Sequence, residues 1–400
     1  MPRSTVKMAV TILSLSLLLM ASTIIISIDA TYTENTDISD EYYDKCEDKI
    51  KDSIITQVRD IDKDKARSIA EGDDRFKAIK DVDKEFKLIA YTYSIDTNNC
   101  IGSLTNINVH YIAKRIDDGN PIKTITVVID DKVSKVEDVR EGDIIYAAYY
   151  KDSSSWAGYS FYGNSYATKP IYESRARFSI PTVSKPTYPD YYHNRDACRT
   201  DLGRNPCILA VWPGLTNQGD YWGRNGIAQG GSIGDVRCNS SGCTIEYYLF
   251  FEFFPDPAFE CRSNPPHKAG DRIVATVTND KKYGGSNTSY DITVHNYSNG
   301  SGCGTFDYNF SNIPNPAYAA FIYERAAYLT RDNYSTLPYF TDNVMRGKLY
   351  YDGSTKSIST PYSNGWYYQF HMVNSSTTNV AVTTVSNGMF TGDYRTSKYT

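Results

Sequence analysis

The second half of the sequence predicts an all-β fold, a two-sheet antiparallel β-sandwich preceded by a smaller α+β region. Three observations carry this. Short alternating runs recur between turn signals after residue 150: Ile273–Val277, Tyr290–His295, Lys348–Tyr351, Trp366–Val373 and Asn379–Val385. Tyr, Thr, Ser, Asn and Gly dominate there, and helical periodicity is nearly absent. Strands with one buried and one wet face also account for the 35 tyrosines, whose rings pack while their hydroxyls reach water.

Charge divides the chain. Residues 31–150 hold 26 acidic and 18 basic side chains, net −8, whereas residues 151–400 hold 20 and 22, net +2. The shift places a domain boundary near residue 150. In the first half, Ile50, Ile54, Ile55, Val58 and Ile61 recur at near-helical spacing, as do Phe76, Ile79 and Val82. Strand-like runs follow at Leu88–Ser94, Ile107–Ala113 and Ile122–Ile129, with turns such as Asp117-Asp118-Gly119-Asn120 between them. Residues 31–150 therefore read as an α+β module, and it carries no catalytic constellation.

The N-terminus is basic at Arg3 and Lys7, then apolar from Met8 to Ile28. That pattern is an export signal, and its length also suits a retained anchor. Residues 1–30 are assigned to it, and only a retained segment would place the chain at a membrane. The eight cysteines, even in number in an exported chain, favour disulfides. Cys238 with Cys243 and Cys198 with Cys207 are local pairs. Cys261 with Cys303 and Cys46 with Cys100 then remain, although spacing alone does not establish connectivity. Asn-X-Ser/Thr acceptors occur at Asn239, Asn287, Asn296, Asn299, Asn309, Asn333 and Asn374, consistent with an extracellular surface.

Several chemistries are disfavoured. The five histidines, His110, His193, His267, His295 and His371, are scattered, and neither HExxH nor a Cys/His zinc spacing occurs. No Asp-Thr-Gly or Asp-Ser-Gly suggests a paired-aspartate site. Gly230-Gly231-Ser232-Ile233-Gly234 fits GxSxG, but the following residues cannot form the helix that a nucleophile elbow needs. Two acids remain on strand-like apolar segments: Glu252 in Phe250–Pro255 and Glu324 in Ala319–Glu324. Such acids are costly to desolvate unless paired. Alone each would be an outward-facing strand residue. With Gln229 in Ile227–Gly231 they form a constellation.

These segments resemble the motifs of the glutamic peptidases of the eqolisin family, in order along the chain. Ser155-Trp156-Ala157-Gly158 is similar to the opening N-W-[AG]-G, and Arg177–Pro181 to a strand ending in Val-Pro. Trp212-Pro213-Gly214-Leu215 is similar to W-V-G-I, and Ile227–Gly231 to I-x-Q-x-G. Phe250–Pro255 is similar to W-Y-E-W-Y-P, Ala269-Gly270-Asp271 to x-G-D, and Ala319–Glu324 to A-E-[WF]-I-x-E. Phe370–Asn374 is similar to a late strand. The resemblance spans about residues 153–395. It implies a concanavalin A-like (jelly-roll) sandwich and a secreted acid endopeptidase acting on polypeptides, with Glu324 as general base and Gln229 as ligand of the water and oxyanion. Trp156, Trp212, Phe250 and Glu252 would line or support the cleft, with no metal or cofactor. Thr216, Ile233, Phe250, Phe253 and Arg325 depart from the family pattern, which leaves the dyad intact and specificity open. Residues 31–150 would be a pro-region acting as an intramolecular inhibitor. The other functional class is a glycan-binding or cell-envelope sandwich without catalysis, because the fold alone does not choose. Nucleic acid is not an expected partner.

Overall fold

A computed structural model describes residues 40–80, 84–146, 155–162, 170–186, 196–216, 226–313, 315–330, 335–358, 366–370, 372–374 and 377–394. The apolar run Met8–Ile28, His193, His371 and Asn333 lie outside them, as does the side chain of Asn374. Among the described residues no helix is long and apolar enough to cross a membrane. The chain divides into two units, Met1–Asp48 and Lys49–Thr400. Only Asp40–Asp48, the start of the first helix, is described in the first unit.

Three helices open the described chain: α1 (Asp40–Arg59), α2 (Lys63–Gly72) and α3 (Asp74–Ile79). Asp62 and Asp73 cap α2 and α3 by accepting from the amides of Lys65 and Arg75, each at 2.9 Å. Ile50, Ile54, Ile55 and Val58 lie on α1, whereas Ile61 falls between α1 and α2; Phe76 and Ile79 lie on α3, and Val82 is outside the described residues. Ile50 and Ile54 pack so tightly over Gly102 that a Cβ there would come within 2.7 Å of Ile54.

Four strands follow: β1 (Lys84–Asn98), β2 (Ile101–Arg115), β3 (Pro121–Asp130) and β4 (Val136–Gly142). After the two-residue β5 (Ile145–Tyr146) come β6 (Trp156–Tyr162), β7 (Ile171–Ser179), β8 (Val183–Ser184), β9 (Cys207–Thr216), β10 (Ile227–Asn239), β11 (Gly242–Phe254) and β12 (Phe259–Cys261). The remainder are β13 (Arg272–Asn279), β14 (Ser289–Asn296), β15 (Ser301–Asn309), β16 (Tyr318–Arg325), β17 (Ala327–Tyr328), β18 (Tyr339–Phe340), β19 (Asn343–Tyr351), β20 (Ser354–Ser357), β21 (Trp366–Phe370), β22 (Met372–Asn374), β23 (Thr377–Val382) and β24 (Met389–Tyr394).

Two large antiparallel sheets result, as the alternation predicts, and β5 with β17 and β8 with β18 form two short antiparallel pairs. One has seven strands in the order β12-β11-β10-β9-β16-β6-β21. The other has thirteen, β22-β23-β24-β19-β7-β13-β14-β15-β1-β2-β3-β4, with β20 paired to β19. Strand β1 joins it edge-on through β15, with Tyr93 opposite Gly304 and Asp96 opposite Ser301. The two halves that differ so sharply in charge therefore share one sheet.

The main core lies between the sheets. Leu209, Val211, Phe251, Phe321 and Tyr323 of the seven-stranded sheet meet Phe178, Ile273, Val277, Ile292 and Leu349 of the larger one. Each such fully buried side chain is worth about 1.5–3 kcal/mol relative to exposure. The tyrosines depart from the wet-hydroxyl expectation. Tyr159, Tyr290 and Tyr323 are fully buried, and their hydroxyls donate to the carbonyls of Thr383 (2.8 Å), Ile313 (2.5 Å) and Asn343 (2.7 Å). A backbone acceptor satisfies the phenol where water is absent.

Cys198–Cys207, Cys238–Cys243 and Cys261–Cys303 are bonded, with Cα separations of 5.0, 4.0 and 6.2 Å. The second closes the β10–β11 hairpin, and the third ties edge strand β12 to β15 of the opposite sheet. Cys46 and Cys100 are each disulfide-bonded as well, and no cysteine is free.

Candidate active site

Side chains alternate across a strand, so register decides which residues share a face. Gln229 pairs with Glu252 of β11 on one side and with Gly214 of β9 on the other. Gly214 pairs with Ala320 of β16, and Glu324, four residues on, pairs with Trp156 of β6 and Ala210 of β9. Counting in steps of two puts Gln229, Glu252, Phe250, Trp212, Glu324 and Trp156 on one face of the seven-stranded sheet. It is the face turned away from the inter-sheet core, and it carries a second apolar cluster that includes Trp156, Trp212, Phe250, Ile233 and Ile322.

Gln229, Glu252, Glu324, Trp156, Trp212 and Phe250 are thus collected on one surface, and all are buried. Glu324 is 1% exposed, and Gln229 and Glu252 are fully buried. The outward-facing strand reading of the two acids does not hold. Within the face they form two groups. Trp212 Nε1 donates to Glu324 Oε2 at 2.8 Å, and the Trp156 indole lies beside it on the same face. The two indoles meet edge-to-face with centroids 5.3 Å apart. Gln229 Nε2 donates to Glu252 Oε2 at 2.7 Å. Gln229 and Glu324 stand two strands and four residues apart, and Trp212 lies on the diagonal between them.

Small residues make room for this. A Cβ on Gly214 would lie 3.0 Å from the Trp212 six-membered ring, and one on Gly231 would lie 2.9 Å from the Trp212 Cα. The indole can therefore lie flat along β9 with its N–H end aimed at Glu324.

Burial pushes the Glu324 carboxyl up to about 8, and the neighbouring Trp156 and Trp212 indoles only partly oppose it. The group is neutral below that pH in this form of the chain. Glu324 Oε1 and Gln229 Oε1 are both buried without a hydrogen-bond partner. Polar atoms left this way in a core call for a water or a ligand group. The Gln229 amide has a second N–H beside the one given to Glu252.

Ser232 of the GxSxG pattern pairs with Val211 in mid-strand β10, three residues from Gln229, and so faces the inter-sheet core. It sits on no elbow and has no helix after it, which removes the serine-nucleophile geometry.

Three polar residues on this side were not singled out from the sequence. Arg237, on the same face of β10 as Gln229, donates from Nε and Nη2 to Asp235 Oδ2 at 3.0 and 2.8 Å, and from Nη1 to Asp143 Oδ2 at 2.7 Å. Burial raises the Asp235 carboxyl to about 6 against the pull of Arg237. The signal was available as Gln229, Asp235 and Arg237 at even spacing along one strand. Elsewhere Asp280, Asp291 and Asp307 come together, and the Lys51 ammonium lies 2.6 Å from Asp291, supplying positive charge to the trio.

A sandwich whose buried acid is held by an indole donor, beside a glutamine–glutamate pair, defines the class of a glutamic peptidase. Residues 154–393 match the profile of the Peptidase A4 family, and the chain belongs to that family, the eqolisins. It is a glutamic endopeptidase. Solved structures similar to it include scytalido-glutamic peptidase with a peptide-based transition-state analogue, at 16% identity and TM-score 0.43, covering 60% of this chain and 98% of that one. SCP-B, an eqolisin in complex with the tripeptide Ala-Ile-His, is 16% identical with TM-score 0.41 and the same coverage. Aspergilloglutamic peptidase from Aspergillus niger is 20% identical with TM-score 0.35, covering 47% of this chain and 99% of that one. No curated protein matches the chain significantly.

Proposed function

We propose that the chain is a secreted acid endopeptidase made as a proenzyme, in which Glu324 and Gln229 activate a water for attack on the peptide carbonyl. The observation that carries this is the buried Glu324 carboxyl, with one oxygen held by the Trp212 indole and the other unpaired, on the same face as an unpaired Gln229 oxygen. In the ionised state Glu324 takes a proton from water and later returns it to the leaving amine. Gln229 holds that water through Oε1 and offers its second N–H to the oxyanion, with Glu252 fixing the amide orientation. An amide donor works at any pH, which suits acid conditions.

Latency follows from the same geometry. Glu324 is neutral below about pH 8 here, so it cannot act as a base in this form. Displacing the N-terminal part of the chain lets water reach the carboxyl and lowers its pKa toward the ordinary glutamate range, where partial ionisation at acid pH is available. Residues 31–150 then act as an intramolecular inhibitor, and the fully paired cysteines fit an oxidising, extracellular setting.

Acid-treated protein should cleave a denatured protein substrate at about pH 3–4, where a glutamate is partly ionised, with pepstatin present. Ser232→Ala should change the rate by less than about twofold, because its side chain lies in the inter-sheet core. Absence of acid proteolysis in the wild type would favour the glycan-binding alternative, and complete loss in Ser232→Ala would revive a serine nucleophile.

A further inference from the structure

The segment that links the two halves crosses the catalytic face. Gly142 ends β4 beside Glu260 of edge strand β12. Asp143 meets Arg237 of β10. The Ile145 carbonyl accepts from Ala258 N–H at 2.7 Å, at the β11–β12 edge, and the Ile144 carbonyl accepts from Leu329 N–H at 2.8 Å. Ile145 and Tyr146 pair antiparallel with Tyr328 and Ala327, just past Glu324. By Trp156 the chain has reached β6, on the far side of β16. Ile145 thus touches both the β11–β12 edge and β17, and Asp143–Tyr146 lies between them. Ile144, Ile145 and Tyr146 are at most 3% exposed and belong to the same apolar cluster as Trp156 and Trp212. Every residue of β9 beneath them is buried.

The contacts sort into two kinds. Main-chain bonds to Ala258 and Leu329 and the β17 pairing are indifferent to sequence, as in other cases where an extended peptide adds to a strand. The grip on Asp143 is not. Arg237 Nη1 and the Tyr328 hydroxyl both donate to Asp143 Oδ2, at 2.7 and 3.0 Å, and the guanidinium lies 5.8 Å from the Tyr328 ring centroid. The other edge of the guanidinium is fixed by Asp235, a residue of the peptidase half itself. Arg237 therefore keeps its orientation whether or not Asp143 is there, which is what a receptor requires and an incidental ion pair does not.

We infer that Asp143–Tyr146 occupies the catalytic face as a polypeptide substrate would, and that Arg237 with Tyr328 forms a subsite for an acidic side chain of the substrate. This rests on the reading of that face as the catalytic one. Arg237 lies four residues beyond the level of Glu324, about 13 Å at the usual strand rise.

The test uses the full chain carrying Asp143→Asn, which loosens the internal segment, and Glu324→Gln, which prevents turnover. A blocked, fluorescein-labelled Asp-Ile-Ile-Tyr peptide and its Asn-Ile-Ile-Tyr counterpart are titrated by anisotropy at pH 5. The acidic peptide should bind at least about tenfold more tightly, as a charge-assisted contact to a fixed guanidinium implies. Adding Arg237→Gln should bring the two Kd values together, while Arg237→Lys, which keeps the charge and guards against a folding defect, should retain part of the preference. Equal binding of the two peptides, a preference that survives Arg237→Gln, or no binding of either would each overturn the inference. Chromatographic detection of peptide cleavage by the Glu324→Gln chain would count against the dyad alone, since the binding comparison is still read.

Discussion

Between pH 4.5 and about 8 the full chain is expected to lose up to about 5 kcal/mol of stability that its Glu324→Gln variant keeps. The ordinary glutamate value is 4.5 and burial raises it to about 8 in the folded chain. Below pH 4.5 the carboxyl is protonated in both folded and unfolded states and favours neither. Above it the unfolded chain ionises while the folded chain holds its proton. The unfolded state therefore binds fewer protons, and stability falls as pH rises, levelling off once the folded pKa is passed. Glutamine is neutral throughout, so the variant lacks this slope. Urea midpoints at pH 4.5, 6 and 8 measure the difference, with Gln229→Ala placed in both proteins so that self-cleavage does not intervene. Parallel curves would mean that Glu324 is already hydrated in the full chain and that latency has another source.

Gln229→Ala is expected to lower kcat about 10²–10³-fold at acid pH with KM little changed, the loss typical of removing one oxyanion donor. The substitution also leaves Glu252 buried without its amide partner, so a thermal melt must show that the fold survives. Gln229→Glu separates the two effects, because a protonated carboxylic acid restores a donor at low pH. It should recover part of the activity below about pH 4 and lose it as that acid ionises. A flat response to pH would show that Gln229 only supports the neighbouring strand.

The fold was legible where chemistry and period coincide. Tyr290–His295 and Lys348–Tyr351 alternate, and each lies in a strand of the larger sheet. Strand β9 carries no alternation because it is covered on both faces, and only its Trp-Pro-Gly-Leu motif marked it. Trp212 and Trp156 could be named in advance, but their placement around one carboxyl depends on the register of β9, β16 and β6, which no local pattern encodes. The pairing of β1 with β15 joins residues some two hundred apart. The charge shift near residue 150 drew attention to composition, and composition says nothing about a shared sheet edge. Ile144-Ile145-Tyr146 drew no attention as a short apolar run near residue 150, and its place on the catalytic face appears only once the chain is folded.

The most direct measurement for the central claim is the rate at which acid-treated Glu324→Gln cleaves a denatured protein at pH 3–4, beside the wild type and with matched melting curves. Removing a general base should lower that rate about 10²–10⁴-fold while the melting temperature at acid pH stays unchanged. A folded Glu324→Gln protein that cleaves at the wild-type rate would contradict the assignment of Glu324 as the base.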